Sequence, residues 1–176
     1  MKWLIALCIL SVGLPAYAGI ISVELSDSQL SVGESVDVSI QGTGFSAFDS
    51  LNVELEFDTD MFDFNVASVG GDLMDASPFI LDVSPQPYGI ALSFLDFTPY
   101  TGGNFTVATF SLTALVTGET AFKLVNALAG DFFTGPLAVE ISPPAVTARV
   151  TEVPGPATFG LLSVILVVML GMRKIK

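Results

Sequence analysis

The chain has 176 residues, 51% of them hydrophobic, with 18 acidic and 6 basic residues, no His, one Cys and a formal charge of −12. Without imidazole there is no Ser-His-Asp or Cys-His pair and no His-ligated metal, and a sequence pI of about 4.1 excludes the basic footprint of a nucleic-acid binder. Its 14 Phe and mean hydropathy of +0.70 supply too much apolar surface for a disordered acidic chain.

The first residues, Met1-Lys2-Trp3, lead into an apolar run from Leu4 to Leu14 and then Pro15-Ala16-Tyr17-Ala18. One positive charge, a short apolar core and small residues at Ala16 and Ala18 are the pattern of a secretory signal peptide over residues 1–18. The pattern predicts cleavage by signal peptidase after Ala18, with Gly19 as the new N-terminus. The run is short for a bilayer span, which disfavours a permanent anchor. Cys8 follows Leu7 in mid-run, which does not suit lipidation, so the mature chain has neither a disulfide nor a thiol nucleophile.

Residues 19–152 have the length of one domain. They hold all 18 acidic residues and only two basic ones, Lys123 and Arg149, a formal charge of −16. Such a domain stays soluble, repels anionic polymers and attracts cations. Its pattern is β throughout. Ile20 to Leu25 and Leu30 to Val32 read as strands, and Val36, Val38 and Ile40 alternate with Asp37 and Ser39 until Gln41-Gly42-Thr43-Gly44 breaks the run. Leu51, Val53, Leu55 and Phe57 alternate with Asn52, Glu54 and Glu56, a half-buried strand with its charged face outward. After the turn Asp58-Thr59-Asp60, strands are predicted over 62–66, 80–83, 88–94, 105–116, 120–125 and 145–150. In the longest of these, Ala108, Phe110, Leu112, Ala114 and Val116 share one face. No stretch carries three turns of helical period and no repeat is visible. Many short strands with Gly and Pro punctuation predict an all-β sandwich or barrel.

The segment Val32-Gly33-Glu34-Ser35-Val36-Asp37-Val38, followed by Leu55-Glu56-Phe57-Asp58-Thr59-Asp60-Met61-Phe62, resembles the N-terminal half of cohesin-like domains. Gly118-Glu119-Thr120 resembles a later strand opening of the same family. The resemblance is sharp over about 32–64. It implies an antiparallel, nine-stranded jelly-roll β-sandwich related to some carbohydrate-binding modules, and cohesins of cellulosomes bind dockerins through one sheet face. No short motif carries that face onto particular residues of this chain.

Three sets of side chains are candidates for chemistry. Asp58, Asp60 and Asp63 can offer oxygens to calcium, but Phe62 and Asp63 stand where an EF-hand loop needs an acid and a Gly; turn formation explains these aspartates better. Glu54 and Glu56 invite comparison with a glycosidase pair, yet two residues apart on a strand they share an outward face. Tyr88, Phe97, Tyr100 and Phe132-Phe133 can form an aromatic platform for sugars, although in so Phe-rich a domain the expectation is that they belong to the core. Asn104-Phe105-Thr106 matches an N-glycosylation sequon. No catalytic residue and no cofactor is expected.

The tail reads Val153-Pro154-Gly155-Pro156-Ala157-Thr158, then an uncharged stretch to Met172, then Arg173-Lys174-Ile175-Lys176. A helix over 157–172 is roughly 24 Å long, short of a hydrocarbon core of about 30 Å. Snorkelling of Arg173, Lys174 and Lys176 recovers part of the difference, and these residues stay cytoplasmic by the positive-inside rule. The tail resembles the PEP-CTERM sorting signal of exported proteins of Gram-negative bacteria, in which a Val-Pro-Glu-Pro-like motif precedes a short transmembrane helix and a basic cluster. Gly155 stands where that family usually has Glu. The resemblance implies recognition by an exosortase, a membrane cysteine peptidase-like enzyme, and removal of the tail; a permanent single-span anchor is the alternative. The sequence therefore predicts a non-enzymatic exported protein. It would pass through an inner-membrane intermediate to the cell surface or extracellular matrix, where it would engage exopolysaccharide or a surface protein but no nucleic acid. A carbohydrate-binding module tied to polysaccharide metabolism is the main rival.

Overall fold

The structure, a computed structural model, describes residues 18–76 and 78–153. The expected signal peptide up to Tyr17, and Pro154, Gly155, Pro156, the helix expected over 157–172 and the basic cluster of the tail, lie outside the described residues. Among those described, no helix is long and apolar enough to cross a membrane. In chain order the elements are β1 (Gly19–Leu25), β2 (Gln29–Ser31), β3 (Ser35–Phe45), β4 (Phe48–Glu56), β5 (Phe62–Gly70), α1 (Asp72–Asp75), β6 (Ile80–Gln86), β7 (Gly89–Tyr100), β8 (Gly103–Ala114), β9 (Gly118–Asp131), β10 (Gly135–Leu137), β11 (Val139–Ile141) and β12 (Ala145–Thr151).

Alternation sorts these strands into two packed sheets. One has the order β11-β1-β3-β8-β5; the other has the order β2-β12-β9-β4-β7-β6, with β10 on β9. Ile21, Val23, Val36, Val38, Ile40, Phe110 and Leu112 face inward from the first sheet. Leu51, Val53, Leu55, Ile90, Leu92, Phe94, Phe122 and Leu124 face them from the second, all buried. Each buried aliphatic or aromatic side chain contributes about 1.5–3 kcal/mol relative to exposure. Period-2 patterning thus fixes register, because a one-residue slip would expose an entire row.

The sandwich is as predicted, but the pairing is not wholly antiparallel and twelve strands replace the nine expected. β1 runs parallel to β11, and β2 runs parallel to β12. Early and late segments of the chain close the same sheet edges, which no hairpin can do. The strand β3 also passes through the predicted break at Gln41 to Gly44. Its register shifts there, and Gly42 lies directly beneath the Phe105 ring, where a Cβ would collide with the aromatic carbons. Here glycine serves close packing rather than a turn. Val116 is exposed instead of sharing the inward face, because β8 stops at Ala114.

Register defines two poles. β1 begins at Gly19, near Gly42, Phe105, Phe48 and Tyr100, whose rings form one cluster: Phe48 lies 5.2 Å from Phe105 and 5.5 Å from Tyr100 between centroids. At the other pole Phe57 stacks on Phe122 at 5.2 Å. β12 leaves the sandwich there, with Val150 opposite Gly118. Along β9 the two poles are about 40 Å apart, from the rise of about 3.3 Å per strand residue.

A candidate interaction surface

Most of the predicted platform aromatics are not in the core. Phe97 is 68% exposed, Phe132 62% and Phe133 91%, and Tyr88 is half exposed in the turn before β7. Only Tyr100 packs inward, against Phe48, Phe94 and Phe105. Desolvation pushes its phenol pKa up, and the carboxylate of Asp72 adds to the shift. The expectation of burial fails because β7 and β9 run further than their apolar alternation indicates, carrying Phe97 to the outward side and Phe132-Phe133 into the hairpin that leads to β10. Tyr88 lies at the opposite pole, so the five residues do not form one platform.

The exposed aromatics have partners that the sequence did not single out. Phe79 and Phe97 pair with ring centroids 4.6 Å apart. Ile80 lies opposite Leu95, Leu95 opposite Ser50, and Ser50 opposite Gly130, so one row crosses the seven-stranded sheet from β6 to β9. Leu128, 60% exposed, projects outward one row below, opposite Asn52. Phe79 and Phe97 stand beyond this row at one side and Phe132 and Phe133 at the other, roughly 14 Å apart by three strand spacings. A β bulge in the β4–β9 pairing between Glu54 and Leu55 shifts the alternation and turns Leu128 outward. Its signal in the sequence was the run Leu124-Val125-Asn126-Ala127-Leu128-Ala129, which lacks period 2.

The Phe-Phe hairpin is held by carboxylates. Asp131 Oδ1 accepts hydrogen bonds from the N–H of Phe133 at 2.9 Å, the N–H of Thr134 at 2.7 Å and the Thr134 hydroxyl at 3.0 Å. The backbone bond from Thr134 is the main cause that lowers the Asp131 pKa below its ordinary value of 3.8. Asp49, buried at 2% exposure, accepts the N–H of Phe132 at 2.6 Å. Charge-assisted bonds of this kind are about twice as strong as neutral ones. They fix the backbone of the tip from which Phe133 projects.

The other predicted groups separate. Asp58 Oδ1 accepts the N–H of Asp60 at 3.0 Å, a local turn bond, while Asp63 sits on β5 opposite Thr113. These three do not assemble a cation cage, and no metal-ligating group of three or more His, Cys, Asp or Glu occurs among the described residues. Glu56 borders a shallow hollow with Phe57, Tyr88, Thr120, Ala121 and Lys123, and Glu54 does not share it. Asn104 accepts the N–H of Gly44 through its side chain. Ala18 precedes β1, and Gly19 is buried with its N–H donating to the Ala138 carbonyl.

No family model matches the chain, and no curated protein matches its sequence. Solved structures do match its fold. A non-cellulosomal cohesin from the hyperthermophilic archaeon Archaeoglobus fulgidus superimposes with a TM-score of 0.62 at 14% identity, over 77% of this chain and 93% of that one. A type II cohesin domain from the cellulosome of Acetivibrio cellulolyticus gives 0.61 at 14%, over 75% and 95%. A type I cohesin–dockerin complex from Clostridium thermocellum gives 0.61 at 12%, over 80% and 99%. The fold is cohesin-like. At these identities the likeness is one of architecture, and it bears out the sandwich that the strand-opening motifs of residues 32–64 implied.

Proposed function

We propose that this is a non-enzymatic interaction module whose partner is a protein, bound through the apolar outer surface of the seven-stranded sheet. The observation that carries the reading is the exposed set Phe79, Ile80, Phe97, Leu128, Phe132 and Phe133 on one side and end of a single sheet. Exposed apolar surface rimmed by polar residues marks association sites, and aromatic anchors dominate binding energy at such sites. Two structural neighbours from Clostridium thermocellum are cohesins in complexes with dockerins, which supports a protein partner over a small molecule. A carbohydrate-binding module would use the same aromatics, and glycan binding is an outcome the test below separates.

The delivery route completes the reading. Ala16-Tyr17-Ala18 supports export, and Val153-Pro154-Gly155-Pro156 with the basic end supports sorting through an exosortase-like enzyme to the cell surface or matrix. By sequence, Pro154 and Pro156 would disfavour helix in this segment, and an extended segment is the form in which peptidases bind substrates. Because β12 ends at the pole opposite Phe133, a tail held at a membrane would leave the aromatic pole outermost.

The test uses the full chain labelled at its surface, photo-cross-linked to intact cells of its own source. The captured molecule is then purified and titrated. Binding of a protein with a micromolar or tighter Kd, lost in Phe97→Ser/Phe133→Ser and kept in a control substitution on the five-stranded sheet, is the expected result. Binding of glycan alone, or binding indifferent to both phenylalanines, refutes the reading.

A further inference from the structure

We infer that the partner presents an apolar face flanked by Lys and Arg, and that Phe133 is the side chain that packs into it. This rests on the preceding reading of the surface and adds the partner's chemistry. The apolar rim residues are accompanied by carboxylates only. Asp96 adjoins Phe97 and accepts its N–H at 2.7 Å. Asp82 lies on the outward side of β6 opposite Ser93, next to the Ile80–Leu95 row. Asp131 holds the tip.

Both basic residues among those described stand far from this end. Lys123 pairs across to Glu56, about 26 Å from Asp131 along β9, and Arg149 lies opposite Glu119, about 40 Å away. Exposed charges screen each other beyond a Debye length of about 8–10 Å, so neither neutralises the aromatic pole. A partner must therefore bring positive charge to the rim and apolar surface to the centre. A second copy of the chain brings carboxylates against carboxylates, and an anionic membrane or polysaccharide is repelled for the same reason. The choice of Phe133 follows from its 91% exposure and from the Asp131 and Asp49 bonds that hold its loop before any partner arrives, which reduces the ordering cost of binding.

Two synthetic amphipathic peptides with one common Phe/Leu face, one flanked by Lys and Arg and the other by Glu, provide the probe. Each is titrated into the full-length protein and followed by backbone NMR shifts. We expect the basic peptide to bind about tenfold or more tightly at low salt, with the advantage falling to about threefold or less in 0.5 M NaCl. The largest shifts are expected at Phe132, Phe133 and Phe97. Phe133→Ser, on a side chain outside the core, should weaken the basic peptide at least tenfold, and Asp82→Lys/Asp96→Lys should reduce the preference for it. Equal binding of both peptides, still dependent on Phe133, overturns the charge inference and leaves the interaction surface standing. No binding of either, or shifts elsewhere on the molecule, overturns both. Tighter binding to phosphatidylcholine vesicles than to the basic peptide, or self-association dependent on Phe133 in sedimentation, likewise rejects a basic protein partner.

Discussion

The two outer surfaces of this sandwich have opposite character on the same scaffold. On the five-stranded sheet, Ser35, Asp37, Ser39 and Gln41 of β3 face outward opposite Thr113, Ser111, Thr109 and Thr106 of β8. Their side chains bond to one another: Ser35 to Thr113 at 3.1 Å, Ser111 to Asp37, and Thr106 to Gln41 at 3.4 Å. These bonds tie the outward polar side chains of the two strands to one another. On the seven-stranded sheet, the end near β6 and β9 exposes aromatic and aliphatic side chains, while the carboxylates of Asp49 and Asp131 are engaged in holding the loop behind them. A satisfied polar lattice needs no partner; an exposed apolar end gains by having one. The difference is what supports placing the proposed interaction on the seven-stranded sheet.

The largest expected effect tests which side of β4 supports the fold. Leu55→Asp removes a side chain that is 1% exposed and buries a charge between the sheets. It should cost more than about 4 kcal/mol, combining a lost core Leu with an unpaired charge. Glu54→Lys, the next residue outward, should change stability by less than about 1 kcal/mol. Urea unfolding of the two full-length variants decides it, and comparable midpoints would contradict the assignment of inner and outer faces. Next comes the aromatic pole. Phe48 is fully buried among Phe45, Phe94, Tyr100 and Phe105, and Phe48→Ala should cost about 3–5 kcal/mol. Phe97→Ser, three residues before Tyr100 on the same strand but exposed, should shift thermal stability by no more than about 0.5 kcal/mol.

That pairing of variants also marks what the sequence made legible. The run Leu51-Asn52-Val53-Glu54-Leu55-Glu56 gave both faces of β4 directly, because one face meets a core and the other meets water. The short motifs around residues 32–64 pointed to the cohesin-like sandwich. The ends of β7 and β9 were not legible. Exposed apolar residues mimic the core pattern, so Phe97 and Phe133 read as buried. A bulge shifted the alternation at Leu128, and Phe79 follows a proline with no period at all. The parallel edge pairs were equally hidden, since period 2 reports a face but never a neighbour's direction. The misses thus have two sources: exposed apolar side chains that imitate a core at the ends of β7 and β9, and pairing direction at the parallel edges.

Smaller in energy, but most specific to the interaction surface, is the loss of binding. Phe97→Ser/Phe133→Ser should weaken the native partner about 100-fold, a loss of roughly 2.7 kcal/mol, in a protein whose urea midpoint is unchanged. Thr109→Leu on the five-stranded sheet should leave affinity within about threefold by the same titration. An equal loss from Thr109→Leu would move the site to the polar sheet and reverse the comparison.

The last expectation concerns pH and the hairpin alone. Asp131 donates nothing and accepts three hydrogen bonds from Phe133 and Thr134, and its pKa is lowered, chiefly by the Thr134 backbone bond. A carboxylate with a depressed folded-state pKa contributes stability that is fully present above its unfolded value of about 3.9 and is lost as the pH falls through the lower folded value. The tip should therefore be held unchanged through the neutral range and loosen only in acid. Amide exchange at Phe133 and Thr134 should accelerate there while exchange in the β4 core does not. Asp131→Ala should give the same fast exchange at neutral pH, whereas Asp131→Asn, which keeps a side-chain oxygen as acceptor, should be intermediate. Slow exchange at the tip in Asp131→Ala would show that Asp49, through its 2.6 Å bond to Phe132, holds the loop by itself, and the pH dependence would then disappear with the role of Asp131.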